Sequence, residues 1–243
     1  MLTLLTYPRN GTVFSLSPFC VKAALLLAFS GQSWIREDLN DPRKMPHRKL
    51  PVLRTPAGLV PDSNAIRAWL EQQGADFDTA LGTRDRAQAQ MLIRMAEDTL
   101  YFHVVRDRWD NDAVWPTIRD SYFHEIPALI RRPVTGAIRR SVHHGLMFQG
   151  TARFNETERN QRLDQDLRAL ADLLKGQDFL FGAQISSADF SVASMLQAMG
   201  TTPVRTVLVS RILDDTVLQP YVDRVFETVP LLQVSRAPRA TFE

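Results

Sequence analysis

Lys49-Leu50-Pro51-Val52-Leu53-Arg54-Thr55-Pro56-Ala57-Gly58-Leu59-Val60-Pro61-Asp62-Ser63 runs through a proline, a short apolar strand, a turn, a second strand and a helix start without a spare residue. Pro51 stands where a strand tolerates proline, ahead of its first ladder bond. Pro56-Ala57-Gly58 is a turn between residues 52–54 and 59–60, so a hairpin is predicted. Asp62 or Ser63 then caps a helix that carries Ile66, Trp69 and Leu70 and stops at Gly74.

Upstream, residues 2–7 read as a mostly buried strand ended by Pro8, and Asn10-Gly11 as a turn. Ser17 is a good N-cap and Pro18 suits the first helical position; the apolar run from there reaches Phe29 and ends at Gly31. Residues 34–38 predict a second strand, followed by a polar loop over residues 40–48. The order is β-α-β, a loop, then β-β-α, within about 75 residues. Thioredoxin-like folds have this order, with a mixed four-stranded sheet.

Beyond Gly74 the texture changes. Residues 76–84 form a polar linker, and the pattern after it is helical. Met91, Leu92, Met95, Leu100, Phe102 and Val105 mark one helix, and Leu163, Leu167, Leu170 and Leu174 the apolar face of another. Pro116, Pro127 and Pro133 are expected to break the middle into short helices, and a last helix is expected between Pro220 and Pro230. The expected domains are therefore 1–75, α/β and ligand-binding, and 85–243, all-helical, joined by 76–84.

Composition narrows the class. A 243-residue chain with 44% hydrophobic and 23% charged residues is globular; a net charge of +2 argues neither for nor against nucleic acid, and none is expected as a partner. One cysteine, Cys20, excludes an internal disulfide and fits a reducing, cytoplasmic setting. No leader is read at the N-terminus, and the longest apolar stretch, residues 23–29, is too short to span a bilayer. His143-His144 has no partners at metal-ligand spacing, so no metal is expected. Arg131, Arg132, Arg139 and Arg140 are read as a solvated basic face.

A thioredoxin-like domain followed by a helical one resembles the glutathione S-transferases, and specific residues carry the resemblance. Ser17-Pro18-Phe19-Cys20-Val21-Lys22 resembles the catalytic loop of the Ser-type and Cys-type classes. Lys49-Leu50-Pro51 resembles the stretch whose proline is cis in that family, and Asp62-Ser63 the pair that holds the γ-glutamyl end of glutathione. Ser186-Ser187-Ala188-Asp189 resembles the capping box of the family's central buried helix. Arg94-Met95-Ala96-Glu97, Leu100-Tyr101-Phe102, Arg108-Trp109 and Gln149-Gly150-Thr151-Ala152-Arg153 resemble the metaxin-like branch that includes failed axon connections proteins.

The resemblance implies a glutathione transferase: a homodimer that binds glutathione and turns its thiol on a small electrophile or peroxide in detoxification. Ser17 would donate to the sulfur, helped by the N-terminal amides of its helix. Leu50 and Pro51 would pair with the cysteinyl backbone, Lys49 would take the glycyl carboxylate, and Asp62 and Ser63 the γ-glutamyl end. Tyr7 and Ser15 compete with Ser17 as donor, while Tyr7, Tyr101 and Trp109 would line the second substrate's pocket. Cys20 is read as inert, because the attacking position of a redox loop is held by Ser17. The alternative is a non-catalytic, metaxin-like interaction protein. It is weakened by a C-terminus that reads Val234-Ser235-Arg236-Ala237-Pro238-Arg239 rather than as an apolar anchor.

Overall fold

The computed structural model describes residues 1–9, 11 and 13–231, so Asn10 of the expected turn and the stretch 234–239 lie outside the described residues. Strand β1 (Leu2–Thr6) is followed by α1 (Pro18–Phe29), β2 (Trp34–Asp38), β3 (Val52–Thr55), β4 (Gly58–Pro61) and α2 (Ser63–Gln72). The sheet order is β2-β1-β3-β4, with β1 parallel to β2 and antiparallel to β3. β1 is buried at every position, so both faces of the sheet are covered there. This is a thioredoxin-like domain.

The remainder is helical: α3 (Thr83–Met95), α4 (Tyr101–Trp109), α5 (Trp115–Tyr122), α6 (Ala128–Gln149), α7 (Glu156–Leu174), α8 (Ser187–Gly200), α9 (Val207–Leu213) and α10 (Leu218–Thr228). A π-helical turn, Ala96–Leu100, joins α3 to α4 in one continuous rod. Helices α1 and α8 are apolar almost all round and pack against each other, forming the seam between the two domains. Asp189 anchors the start of α8 from within the core. Its carboxylate accepts from Ser186 N (2.8 Å), Ser186 Oγ (2.7 Å), Leu180 N (3.0 Å) and the Tyr221 hydroxyl (2.9 Å).

One expectation is corrected. Pro133 does not break the middle of the chain: it lies inside α6, a helix of 22 residues. The carbonyl it leaves without a donor belongs to Leu129, which is 91% exposed and therefore open to water. Thr135 Oγ1 also takes the Arg131 carbonyl at 2.6 Å, and the Arg131 guanidinium ties back to the carbonyls of Ile126 and His124. Pro116 and Pro127 do mark helix starts, at the beginning of α5 and before α6.

Candidate functional site

Three segments meet at the end of the sheet where β1 finishes. Leu5 lies opposite Val52 in the antiparallel β1–β3 pair, which sets Leu50 and Pro51 beside Thr6 and Tyr7. The Leu50–Pro51 peptide is cis. Asp62 N donates to the Pro51 carbonyl at 3.2 Å, bringing the first turn of α2 to the same end. Cys20, in the first turn of α1, packs in a small cluster with Leu5, Leu50 and Val52, and Tyr7 leans on that cluster. Ser17, Leu50, Pro51, Asp62 and Ser63 are therefore neighbours in one corner of the domain.

Ser17 is the N-cap of α1, with extended backbone, and its Oγ accepts from Cys20 N at 3.4 Å. The hydroxyl accepts there and still has its proton to donate, with the Cys20 thiol within its reach. No acidic side chain occupies the first turn of α1, so the helix presents uncompensated positive potential. Ser15 is buried and turned inward: its Oγ accepts from Ser17 N at 3.3 Å. Cys20 has no exposed surface, and burial pushes its thiol up despite hydrogen bonds toward Thr6, Tyr7, Ser17 and Ser15.

At α2, Asp62 adopts φ +75° and caps the helix through Oδ1, accepting from Asn64 N (2.8 Å) and Ala65 N (3.3 Å). A non-glycine residue in this region is uncommon, and aspartate is among those that tolerate it. Ser63 follows at the first helical position. It is fully buried, and its Oγ is without a hydrogen-bond partner among the described residues. An unpaired buried hydroxyl costs about 1–3 kcal/mol unless something bonds to it. Lys49 is exposed and extended in backbone, just before Leu50, and Leu50 lies outside the ladder that begins at Val52.

Behind these groups lies a charged network that joins both domains. Lys22 Nζ, fully buried, donates to Glu97 Oε1 at 2.5 Å and to Asn64 Oδ1 at 2.6 Å. Asn64 Nδ2 donates to Glu97 Oε2 at 2.6 Å, and Ser191 Oγ to Glu97 Oε1 at 2.9 Å. Burial acts to raise the Glu97 carboxyl, but the Lys22 charge and the three hydrogen bonds outweigh it and hold the group below the usual carboxylate range. The network ties α1, the first turn of α2, the π turn and α8 into one body.

Sequence comparison agrees with this layout. The N-terminal domain of the glutathione S-transferases matches residues 18–115 and their C-terminal domain matches residues 153–224, in that order. The chain belongs to the glutathione S-transferase superfamily. Solved structures similar to it include glutathione transferase GSTFuA3 from Phanerochaete chrysosporium, at 15% identity, covering 97% of this chain and 98% of that one, with a TM-score of 0.65. A glutathione S-transferase from Methylobacterium radiotolerans, in complex with glutathione sulfonate, is 18% identical over 100% of this chain and 98% of that one, with a TM-score of 0.58. FzlA from C. crescentus is 15% identical over 97% and 96%, with a TM-score of 0.52. At these identities the likeness is one of fold.

The remaining residues divide between this transferase-like corner and the packing around it. The Tyr101 ring meets Phe19 edge-on at 4.7 Å, and burial raises its phenol to about 12, so it stays protonated. Burial and the nearby Cys20 and Tyr101 push the Tyr7 phenol well above its ordinary range as well. Both tyrosines thus remain hydrogen-bond donors at neutral pH. Trp109 sits apart, in an aromatic cluster with Trp115, Tyr122 and Phe123 at 5.5, 5.8 and 6.0 Å. Among the described residues no group of three or more His, Cys, Asp or Glu could hold a metal ion, and no helix is long and apolar enough to cross a membrane.

Several supporting residues have no role assigned to them in the sequence reading. Lys22 had a visible signal, a lone charge inside an apolar helix, but Glu97 lies 75 positions away and nothing local pairs them. Arg36, buried in β2, staples the β1–α1 loop, donating to Tyr7 O (3.2 Å) and Phe14 O (2.9 Å) while bound to Asp38. Arg108, buried in α4, reaches the Leu16 carbonyl at 2.6 Å.

Proposed function

We propose that this protein binds glutathione and activates its thiol for attack on a small electrophile or a peroxide, as a transferase of the metaxin-like branch acting in the cytoplasm as a homodimer. The observation that carries the reading is the Ser63 hydroxyl, which is fully buried, unpartnered and set at the start of α2 beside the Asp62 cap. A γ-glutamyl carboxylate there would receive the Ser63 hydroxyl and the free helix amides, and its ammonium would face Asp62. Leu50 backbone atoms would pair with the cysteinyl unit as an added strand, and Lys49 would meet the glycyl carboxylate.

The sulfur would then lie at the start of α1. Free thiols of the cysteine type have pKa values near ~8.5, and one hydrogen bond to the anion contributes about 1.5–3 kcal/mol, or roughly one to two pKa units. Ser17 supplies that bond in this reading, and the α1 amides add positive potential. Tyr7, packed on the Cys20 cluster, and Tyr101, packed on Phe19 of α1, would wall the sulfur's side of the pocket. The homodimer rests on the superfamily's common dimeric habit.

Calorimetric titration with glutathione tests the reading through Ser63→Ala. The substitution deletes a hydroxyl that contributes no bond to the fold, so stability is expected to hold within about 1 kcal/mol while glutathione affinity falls about tenfold or more. Equal affinity for both forms, or no binding by the wild type, refutes the assignment.

A further inference from the structure

We infer that Arg108 is a positioning residue: it clamps the peptide unit in front of Ser17 and so aims the hydroxyl at the thiol, an inference that rests on the thiol-activation reading above. Arg108 belongs to the helical domain but reaches across the domain seam. It is 2% exposed, and its guanidinium is spent wholly on neutral acceptors. Nη1 donates to Leu16 O at 2.6 Å and to the Tyr122 hydroxyl at 3.4 Å; Nη2 donates to Ala198 O at 2.6 Å, and Nε to Thr202 Oγ1 at 3.3 Å.

Two features separate this from ordinary packing. First, the Leu16–Ser17 peptide is held at both ends: its carbonyl by Arg108 and its N–H by the buried Ser15 Oγ at 3.3 Å. A peptide plane fixed from both sides cannot rotate, and its orientation sets where the Ser17 side chain points. Second, no carboxylate among the described residues forms an ion pair with Arg108, whereas the equally buried Arg36 is paired with Asp38. A buried cation without a direct ion pair is costly, and Asp107 gives it only a longer-range attraction, so its retention calls for a use. Its charge is felt in the pocket, where it acts to lower the Tyr101 phenol against the effect of burial.

The fork of the guanidinium matters here. Two carbonyls, one near the end of α8 and one in the loop before α1, are bridged by the two terminal nitrogens, which a lysine ammonium cannot reproduce at the same reach. The helical domain, which would hold the second substrate, is thereby coupled to the thiol-activating hydroxyl in the other domain. Preorganisation of a donor in this way is where an oxyanion-type or thiolate-stabilising bond gains its strength.

The test uses the full chain with Arg108→Lys and Ser15→Ala, which release the two ends of the same peptide separately. In each, amide hydrogen exchange at Ser17 in the ligand-free protein is expected to quicken about tenfold. The pKa of bound glutathione's thiol, read from its ultraviolet thiolate band, is expected to rise by about one unit. The glutathione dissociation constant is expected to stay within about threefold, because Leu50, Asp62 and Ser63 lie on other segments. Unchanged exchange at Ser17 in both variants overturns the clamp. Faster exchange with an unchanged thiol pKa overturns the positioning role. Wild-type protein that fails to bind glutathione defeats the thiol-activation reading and with it the positioning role, while the exchange rates still decide the clamp.

Discussion

Replacing Lys22 by methionine probes the network that binds the two domains behind the site. The substitution fills nearly the same volume but removes the ammonium that Glu97 and Asn64 share at 2.5 and 2.6 Å. Glu97 is then a buried carboxylate left with Asn64, Ser191 and a longer, 3.7 Å ion pair to the half-exposed Arg94, and breaking a buried pair from one side costs about 3–5 kcal/mol. The cost is pH-dependent, with a definite sign. In the wild type the Glu97 pKa is depressed, so its contribution is present above the unfolded value near ~4.3 and fades as pH falls through the folded one. In the variant burial acts with little opposition, the folded pKa rises above the unfolded value, and the penalty grows with pH until the group ionises in the fold. The difference between the two proteins therefore shrinks as pH falls toward about 4. Urea unfolding followed by tryptophan fluorescence at pH 7.5 and pH 5 is expected to give a gap of about 3–5 kcal/mol at the higher pH and a clearly smaller one at the lower. The double variant Lys22→Met/Glu97→Gln, which leaves no unpaired charge, is expected to recover most of the loss. A single-variant cost below about 1 kcal/mol at pH 7.5, or an equal cost at both pH values, refutes the reasoning.

His103 is held neutral, its pKa lowered to about 4 by burial and then by the charges of Arg159 and Arg162. Stability tied to this group is full above the unfolded value of about 6.5 and is lost as pH falls toward 4, so between pH 7 and pH 4.5 the wild type should lose about 2–3 kcal/mol more than His103→Gln; parallel curves would contradict it. Cys20 should resist iodoacetamide in the native state and react at once in denaturant, since it has no exposed surface and its thiol is pushed up by burial; prompt native labelling would put it back among the candidate nucleophiles.

Local chemistry made much of the fold legible. Ser17 followed by Pro18, the hairpin around Pro56-Ala57-Gly58, and Asp62 ahead of α2 are signals whose meaning is settled within a few residues; both helices start where expected, and the hairpin forms with its strands reaching Thr55 and beginning at Gly58, longer than 52–54 and 59–60. The four buried leucines of α7 likewise follow from spacing alone. Pro133 misled because its effect depends on whether the orphaned carbonyl can reach water, a property of the folded surface. The π turn at Ala96–Leu100 and the partners of Lys22 and Arg108 are non-local, fixed only when α1, α4 and α8 pack. So the residues of the candidate pocket could be read from their neighbours, but the groups that hold them in place could not.

The most direct test of thiol activation is the ultraviolet absorbance of protein-bound glutathione as a function of pH, for the wild type and for Ser17→Ala. The bound thiol of the wild type should titrate roughly one to two units below the ~8.5 of a free thiol, and Ser17→Ala should return it toward that value without abolishing binding. A bound thiol that titrates alike in both proteins would contradict Ser17 as the donor, and loss of the signal in Tyr7→Phe alone would transfer the role to Tyr7.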